Sequence, residues 1–506
     1  MKRVLFWSLA LVSFVSIVHL AVFLDNGLNV YDEGVAVYGA ARVAEGAVPY
    51  RDFWTMYAPG QFYLLALLFK VFGFSLLVER AWSVCLLLMI AVATGYSAWQ
   101  SRGALAGMFA MALSLVWVSS CESRGSGMTT AVALAMVSAA VMCRALREPS
   151  GKKYAAAGMF AGLAVLFRHE LGFCLALVQA GVLSLYWRTG LGSRARRNIV
   201  FYICGAAAPT VSVVTLLFVF VPAGILVENL VIFPLFEYAR YRNLPYPFPG
   251  LQSMAFYFTP LMAVAAAYLV FMKLRGSGIS GLRRIDLESV MFAGTGLCFL
   301  SAAVVRSDIT HLFPAMFPGI ALLAGVLPDS SGCSGSMSGK NRWFRLAGWL
   351  VMAVTAGLTF LRPLTFQALN LASLMREKDT VTIDVSRAGG IILSAEKEPY
   401  VKMIKFIKTI VPPEEKIFSG CMRHDRIVIN DVMIYFLSGR ESATRWHELH
   451  PGIATTETCQ RKIISEIESS SVNTVILGDF DNSEPNAGGK SSGVRVLDGF
   501  LRLNFE

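Results

Sequence analysis

Charge is scarce in this sequence. Only 16% of its 506 residues are Asp, Glu, Lys or Arg, where a soluble globular protein carries about 25%. With 55% hydrophobic residues beside that deficit, a protein soluble over most of its length is excluded. Cysteine offers no framework either. The nine cysteines show neither metal-ligand spacing nor a disulfide pattern, and Cys85, Cys143, Cys174, Cys204 and Cys298 sit inside apolar runs as small packing residues. Cys421 and Cys459 fall in the polar last third, where pairing stays open. The chain has no internal repeat, and its one low-complexity tract is the Ser/Gly linker "DSSGCSGSMSGK". No small-residue cleavage site follows "FWSLALVSFVSIVHLAVFL", so that run reads as a first membrane span rather than a signal peptide.

What the chain does have is a succession of apolar runs. Beyond the first, they lie near 104–120, 127–143, 154–167, 171–187, 200–222, 252–272, 287–305, 311–327 and 346–361. Residues 154–187 as one helix would be about 50 Å long, against a hydrocarbon core of about 30 Å. Arg168-His169-Glu170 interrupts them, and each charge at mid-membrane costs about 2.5–3.5 kcal/mol on insertion scales. Two spans joined by a tight polar turn are expected.

Residues 60–98 raise the same question, with Glu79-Arg80 in the middle. Here charge decides. If "GQFYLLALLFKVFG" lies in the interface as an amphipathic segment, four basic clusters share the cytoplasmic side with the N-terminus. They are Arg144/Arg147/Lys152/Lys153, Arg188/Arg194/Arg196/Arg197, Lys273/Arg275/Arg283/Arg284 and Lys340/Arg342/Arg345. If it crosses, all four land outside, against the positive-inside rule. The expected fold is therefore mainly α: a polytopic helical membrane protein of about eleven spans over residues 1–361. Residues 362–506 read as a small extracytoplasmic α/β domain, because charge rises after Arg362. "EKIFSG" and "NTVILGDF" look like buried strands there, while "PYVKMIKFIKTI" and "CQRKIISEIESSS" have helical spacing. The net charge of +11 is spread over short cytoplasmic clusters, so nucleic acid is not an expected partner. The lipid bilayer is. A bacterial cytoplasmic membrane is the expected location.

This topology collects Asp32, Glu33, Glu45, Asp52, Glu122, Glu170, Glu228, Glu237 and Asp308 on the extracytoplasmic side. The first loop, "NVYDEGVAVYGAARVAEGAVPYRDF", is richest. Asp32 reads as a helix N-cap, with Gly46 closing the helix and Pro49 beyond. A cap accounts for one carboxylate and does not require "VPYRDFWTMYAPGQFY" to follow.

"YDEGVAVYGAARVAEGAVPYRDFWTMYAPGQFYLLALLFKVFG" resembles the first extracytoplasmic loop of the polytopic GT-C glycosyltransferases. Among these are the protein O-mannosyltransferases and the bacterial enzymes that put aminoarabinose or galacturonic acid on lipopolysaccharide. The shared pattern is an Asp-Glu pair, a short helix ending in Gly, Pro-Tyr-Arg-Asp, a Pro-containing turn and an amphipathic segment; the resemblance covers roughly residues 1–330. It implies a polyprenyl-phosphate sugar as donor, an extracytoplasmic glycan, lipid or protein as acceptor, and Asp32 as catalytic carboxylate with Glu33 beside it. No nucleotide would be needed, in keeping with the missing Rossmann-type glycine loop.

The chemistry fits such residues. An acceptor hydroxyl must lose its proton to a positioned base as it attacks, and a leaving lipid phosphate needs a countercharge, which arginine supplies in a fork. Arg51, Arg168 and Arg306 are the candidates for the phosphate, with Arg240 and Arg242 behind them. Tyr50, Asp52, Glu170 and His311 are candidates for substrate binding, and "YARYRNLPYPFPG" for a lid or acceptor loop. Any single arginine is equally explained by interfacial snorkelling. No cofactor is expected. A divalent metal on His169 or His311 with Glu170 or Asp308 is the alternative, on scattered ligands. "RWHELH" (His447, Glu448, His450) reads as a surface turn. Rival functions are transfer of a whole oligosaccharide from a lipid pyrophosphate, a transporter or flippase, and an inactive binding module. Polar groups gathered at one face rather than the midplane argue against the transporter.

Overall fold

The computed structural model describes residues 2–120, 127–191, 195–238, 246–247, 253–326, 339–376, 379–426, 429–450, 452–479 and 491–505. The protein is a polytopic helical membrane protein. Eight of its described helices are long and apolar enough to cross a membrane: α1 (Lys2–Val22), α4 (Leu76–Arg102), α6 (Gly127–Arg147), α8 (His169–Arg188), α9 (Ala195–Phe220), α12 (Ser253–Ser277), α13 (Arg284–Val305) and α15 (Gly339–Ser373). The shorter α5 (Ala104–Val118), α7 (Gly151–Val165) and α14 (Ile309–Val326) cover three further apolar runs. After α9 come α10 (Ala223–Val227) and a π-helical stretch, Glu228–Tyr238, counted here as α11.

Each of the two doubtful regions is divided into two helices. A break at Leu166–Arg168 divides α7 from α8. The 60–98 region splits into α3 (Gly60–Phe72) and α4. At 13 residues, α3 is about 20 Å long, too short for a bilayer. It buries Phe62, Leu65, Ala66 and Phe69 and leaves Tyr63, Leu67, Val71 and Phe72 exposed, as an interfacial helix would.

Where water cannot drive helices together, small residues let backbones touch. Gly158 and Gly162 do this between α7 and α9: a Cβ at either would fall on the Tyr202 or Ala206 carbonyl. At the end of the bundle that carries Arg147 and Arg284, Arg147 binds the buried Glu288 at 3.1 Å. The opposite end carries α2 (Asp32–Ala44), α3 and everything beyond α15.

That last region holds β1 (Thr380–Thr382), β2 (Ile392–Ser394), α16 (Glu398–Ile410), β3 (Ile417–Cys421), α17 (Met433–Ser438), α18 (Glu457–Ser469), β4 (Thr474–Gly478) and α19 (Val496–Asn504). β3 pairs in parallel with β4, Ile417 opposite Thr474, so the two helix–strand units read from the sequence are present. Cys421 and Cys459 are free thiols. α15 runs on to Ser373, past the composition change at Arg362.

The polar region is joined closely to the first loop. Val35, Val37, Tyr38, Phe62 and Phe69 share one core with Ile404, Ile417, Met433 and Phe436. The Val30 carbonyl accepts the backbone N–H groups of Val432 and Met433, at 3.1 and 3.0 Å. Gly34 is needed for this approach, because a Cβ there would lie 2.7 Å from the Met433 nitrogen.

Candidate active site

The first loop turns on Asn29. Its Oδ1 accepts the backbone N–H groups of Tyr31 (3.2 Å) and Asp32 (2.9 Å), the work expected of an N-cap. Asp32 therefore does not cap α2. Tyr31 is the N-cap residue, without a side-chain cap. Asp32 is exposed, and the one hydrogen bond to its carboxylate among the described residues comes from Asn29 Nδ2 at 3.4 Å. It is an anion at a helix N-terminus, left available.

Glu33 is placed differently. One residue along a helix turns the side chain by about 100°, so Glu33 points inward and is fully buried. Arg80 holds both its oxygens, Nε to Oε1 at 2.7 Å and Nη2 to Oε2 at 3.0 Å. Arg80 also donates to the Leu24 carbonyl at 3.1 Å and the Gly27 carbonyl at 2.8 Å. Expected beside Asp32 in the chemistry, Glu33 is instead spent on an ion pair that ties α2 to α4 and to the end of α1.

The "PYRDF" turn also splits into unlike parts. Tyr50 has a positive φ of 69° and is fully buried; its hydroxyl donates to the Tyr57 carbonyl at 2.7 Å. It holds the turn and faces no solvent. Arg51 and Asp52 form a forked pair at 2.8 and 2.7 Å. The Arg51 hydrogen bonds hold the Asp52 carboxyl below its usual range. Both lie toward solvent, each already occupied by the other.

Tyr57, a few residues on, is where the separate elements meet. Burial raises its phenol well above the usual pKa of 10, and the Asp32 carboxylate adds to this, followed by Tyr238 and Glu448; Arg168 acts in the opposite sense. α3 is docked on the turn that carries Arg168, Gly60 donating to the Leu166 carbonyl at 2.8 Å. Arg168 binds Glu170 through Nε at 2.6 Å, and the His169 ring stands 3.8 Å from the same carboxylate. α8 and α13 pack side by side, so Arg168 at the start of one and Arg306 at the end of the other share one end of the bundle. Arg306 binds Asp308 at 2.8 Å, and His311 Nδ1 binds Asp308 at 2.8 Å. Burial would raise Asp308, but the His311 bonds and the Arg306 charge prevail and bring it down to about 2. The charges of Asp32 and Arg168 thus both act on Tyr57; Arg306, Asp308 and His311 form a group of their own at the same end, and Arg51 stays apart on the surface. Glu122, Arg240, Arg242 and nearly all of "YARYRNLPYPFPG" lie outside the described residues. No group of three or more His, Cys, Asp or Glu placed to hold a metal occurs among the described residues.

The surface turn expected at "RWHELH" is a correction. His447, Glu448 and His450 are each 1% exposed or less. His447 packs edge-on to Tyr38 and against Phe53, at ring distances of 4.9 and 5.2 Å, and burial pushes its pKa down to about 3. What drives the segment inward is a partner in the first loop: the Arg445 carbonyl accepts the Trp54 N–H at 2.9 Å. No local pattern in "RWHELH" carries that information.

No protein-family model matches the sequence, and no curated protein does. Solved structures do match. The chain is similar to the aminoarabinose transferase ArnT from Cupriavidus metallidurans, bound to undecaprenyl phosphate, with TM-score 0.53 and 14% identity over 94% of this chain and 89% of that one. It is also similar to the Archaeoglobus fulgidus oligosaccharyltransferase tethered to an acceptor peptide, with TM-score 0.50 and 12% identity over 94% of this chain and 69% of that one. At such identities the likeness is one of fold: the chain is folded like these two transferases.

Proposed function

We propose that this protein is a membrane glycosyltransferase that moves a sugar from a polyprenyl-phosphate donor to a hydroxyl of an extracytoplasmic acceptor. The observation that carries the reading is Asp32: a carboxylate relieved of capping by Asn29 and exposed, whose charge, like that of Arg168, is felt at Tyr57. In the reaction, the acceptor oxygen attacks the anomeric carbon while Asp32 takes its proton. The bond from that carbon to the phosphate oxygen breaks, and the lipid phosphate leaves with the electron pair. Arg168, with Arg306 behind it, offsets the charge of the leaving phosphate. The bound undecaprenyl phosphate of the structurally similar transferase supports a lipid of this class as donor. Mass spectrometry of envelope glycans and lipid-linked sugars, with and without the gene, tests the proposal. A lost modification together with an accumulated lipid-linked sugar is expected, and no change in either would refute it.

Arg168→Ala and Arg306→Ala should each raise KM for the lipid donor and lower kcat. A charge-assisted contact is worth about 1.5–3 kcal/mol, so kcat/KM falls about tenfold or more. Full activity in both variants would leave these arginines as interfacial anchors.

The basic end of the bundle belongs in the cytoplasm by the positive-inside rule, which places the Asp32 end in the space outside the cytoplasmic membrane. In a background without native cysteines, Lys152→Cys should react with an impermeant maleimide only from the cytoplasmic side, and Glu468→Cys only from the outer side. Labelling of both from one side would reject this orientation.

A further inference from the structure

The buried turn from Trp446 to His450 has a property that packing alone does not account for. His450 Nε2 lies 2.8 Å from the Tyr31 hydroxyl and 3.0 Å from Glu448 Oε2. The other polar atoms of the pair, His450 Nδ1 and Glu448 Oε1, are shut off from solvent with no hydrogen-bond partner among the described residues. Each such orphan carries an uncompensated desolvation cost, larger where a charge is involved. The turn is not loosely packed in general. Asn430 beside it makes three bonds, donating to the Ser419 and His447 carbonyls at 3.0 and 2.8 Å and accepting from Leu449 at 3.0 Å. Arg445 Nε and His447 Nε2 in the same segment are likewise without a partner among the described residues, and Glu448 Oε1 and His450 Nδ1 are the two that lie on a directly bonded pair.

The surroundings of that pair suit a sugar. Aromatic rings surround His450, with centroids at 5.3 Å for Tyr238, 5.4 Å for Tyr31, 5.7 Å for Trp54 and 6.1 Å for Tyr57. Tyr57 is also the residue that senses both Glu448 and Asp32. With the ring proton on Nε2, facing the Glu448 carboxylate, Nδ1 is an acceptor. Two acceptors among apolar ring faces fit a ligand that donates two hydrogen bonds and presents C–H surface.

We infer that Glu448 and His450 form the hydroxyl-binding subsite for the transferred sugar, Glu448 Oε1 and His450 Nδ1 each accepting from a sugar hydroxyl beside Asp32. This rests on the functional reading above. The region beyond α15 is then part of the substrate site.

The test uses the full-length protein in nanodiscs, with polyprenyl-phosphate monosaccharides and the monodeoxy analogues of the best-used donor. A site built to bond a hydroxyl rejects the analogue that lacks it, because its own polar groups stay unpaired. The wild type should therefore prefer the full donor over at least one deoxy analogue by about a hundredfold or more in kcat/KM. Glu448→Gln and His450→Phe should lose most of that ratio, falling sharply on the full donor and little on the analogue. Tyr31→Phe, which removes only the support of His450, should slow both donors alike and keep the ratio. Parallel losses on both donors in stable Glu448→Gln and His450→Phe proteins would overturn the inference and leave the pair a scaffold. If neither variant folds, the wild-type ratio decides: indifference to every deletion overturns it. Absence of transfer by the wild type from any of these donors would instead overturn the functional reading, and the subsite with it.

Discussion

Asp32→Asn should cost on the order of a hundredfold or more in turnover while leaving thermal stability close to that of the wild type. The two halves of this expectation have separate grounds. Stability is spared because Asn29, not Asp32, receives the N–H groups at the start of α2, and because Asn substitutes for Asp at helix starts at little cost. Turnover is not spared, since an amide has the shape of the carboxylate but cannot take the acceptor's proton, and general-base catalysis typically contributes 10²–10⁴-fold. Sugar transfer from a purified polyprenyl-phosphate donor, with melting recorded alongside, measures both. A stable, fully active Asp32→Asn protein would remove Asp32 from the chemistry.

Its neighbour should behave in the opposite way. Neither side chain of the Glu33–Arg80 pair is exposed, and removing one partner of a buried pair leaves the other uncompensated, at about 3–5 kcal/mol. Arg80→Met should therefore lower the melting temperature sharply, since it strands Glu33 and also frees the Leu24 and Gly27 carbonyls. Glu33→Gln should destabilise too, less so because the amide oxygen still accepts from Arg80. Joining Glu33→Leu to Arg80→Met removes both charges together, so the double variant should be more stable than Arg80→Met alone. Equal or greater loss in the double variant would show that the carbonyl bonds of Arg80, rather than the ion pair, dominate.

These adjacent carboxylates show where reading the sequence stops. "DEG" marks a helix start, and the start is where it was expected. Which of the two acids turns inward depends on an arginine on another helix, and nothing within the loop names it. Segments whose fate is decided by the bilayer were legible. A 13-residue apolar helix cannot span, a triad of charged and polar residues interrupts a double-length run, and basic clusters fall at one end of the bundle. The helix–strand units after α15 were legible too, because their periodicities are local. Tyr50, Arg51 and Asp52 look alike as loop polar residues, yet one is locked in the turn and the other two neutralise each other. The "RWHELH" turn was misplaced for the same reason as Glu33. Its burial is decided by Tyr31 and Trp54, some 400 residues earlier in the chain, where periodicity carries no signal.

The bonds from Val432 and Met433 to the Val30 carbonyl also bear on how the molecule is made. Roughly 400 residues separate donor from acceptor, and at 5–20 residues per second the first loop waits about 20–80 s for the segment that covers it. Until then the apolar face formed by Val35, Val37 and Tyr38 has no partner from the chain beyond α15. Asp32 is made within the first seconds of synthesis, but the surface that covers the apolar face of its helix arrives last. A chain interrupted anywhere before Val432 would carry its candidate base on a helix bare along one side, a natural target for quality-control proteases and an unfinished place for a sugar to bind.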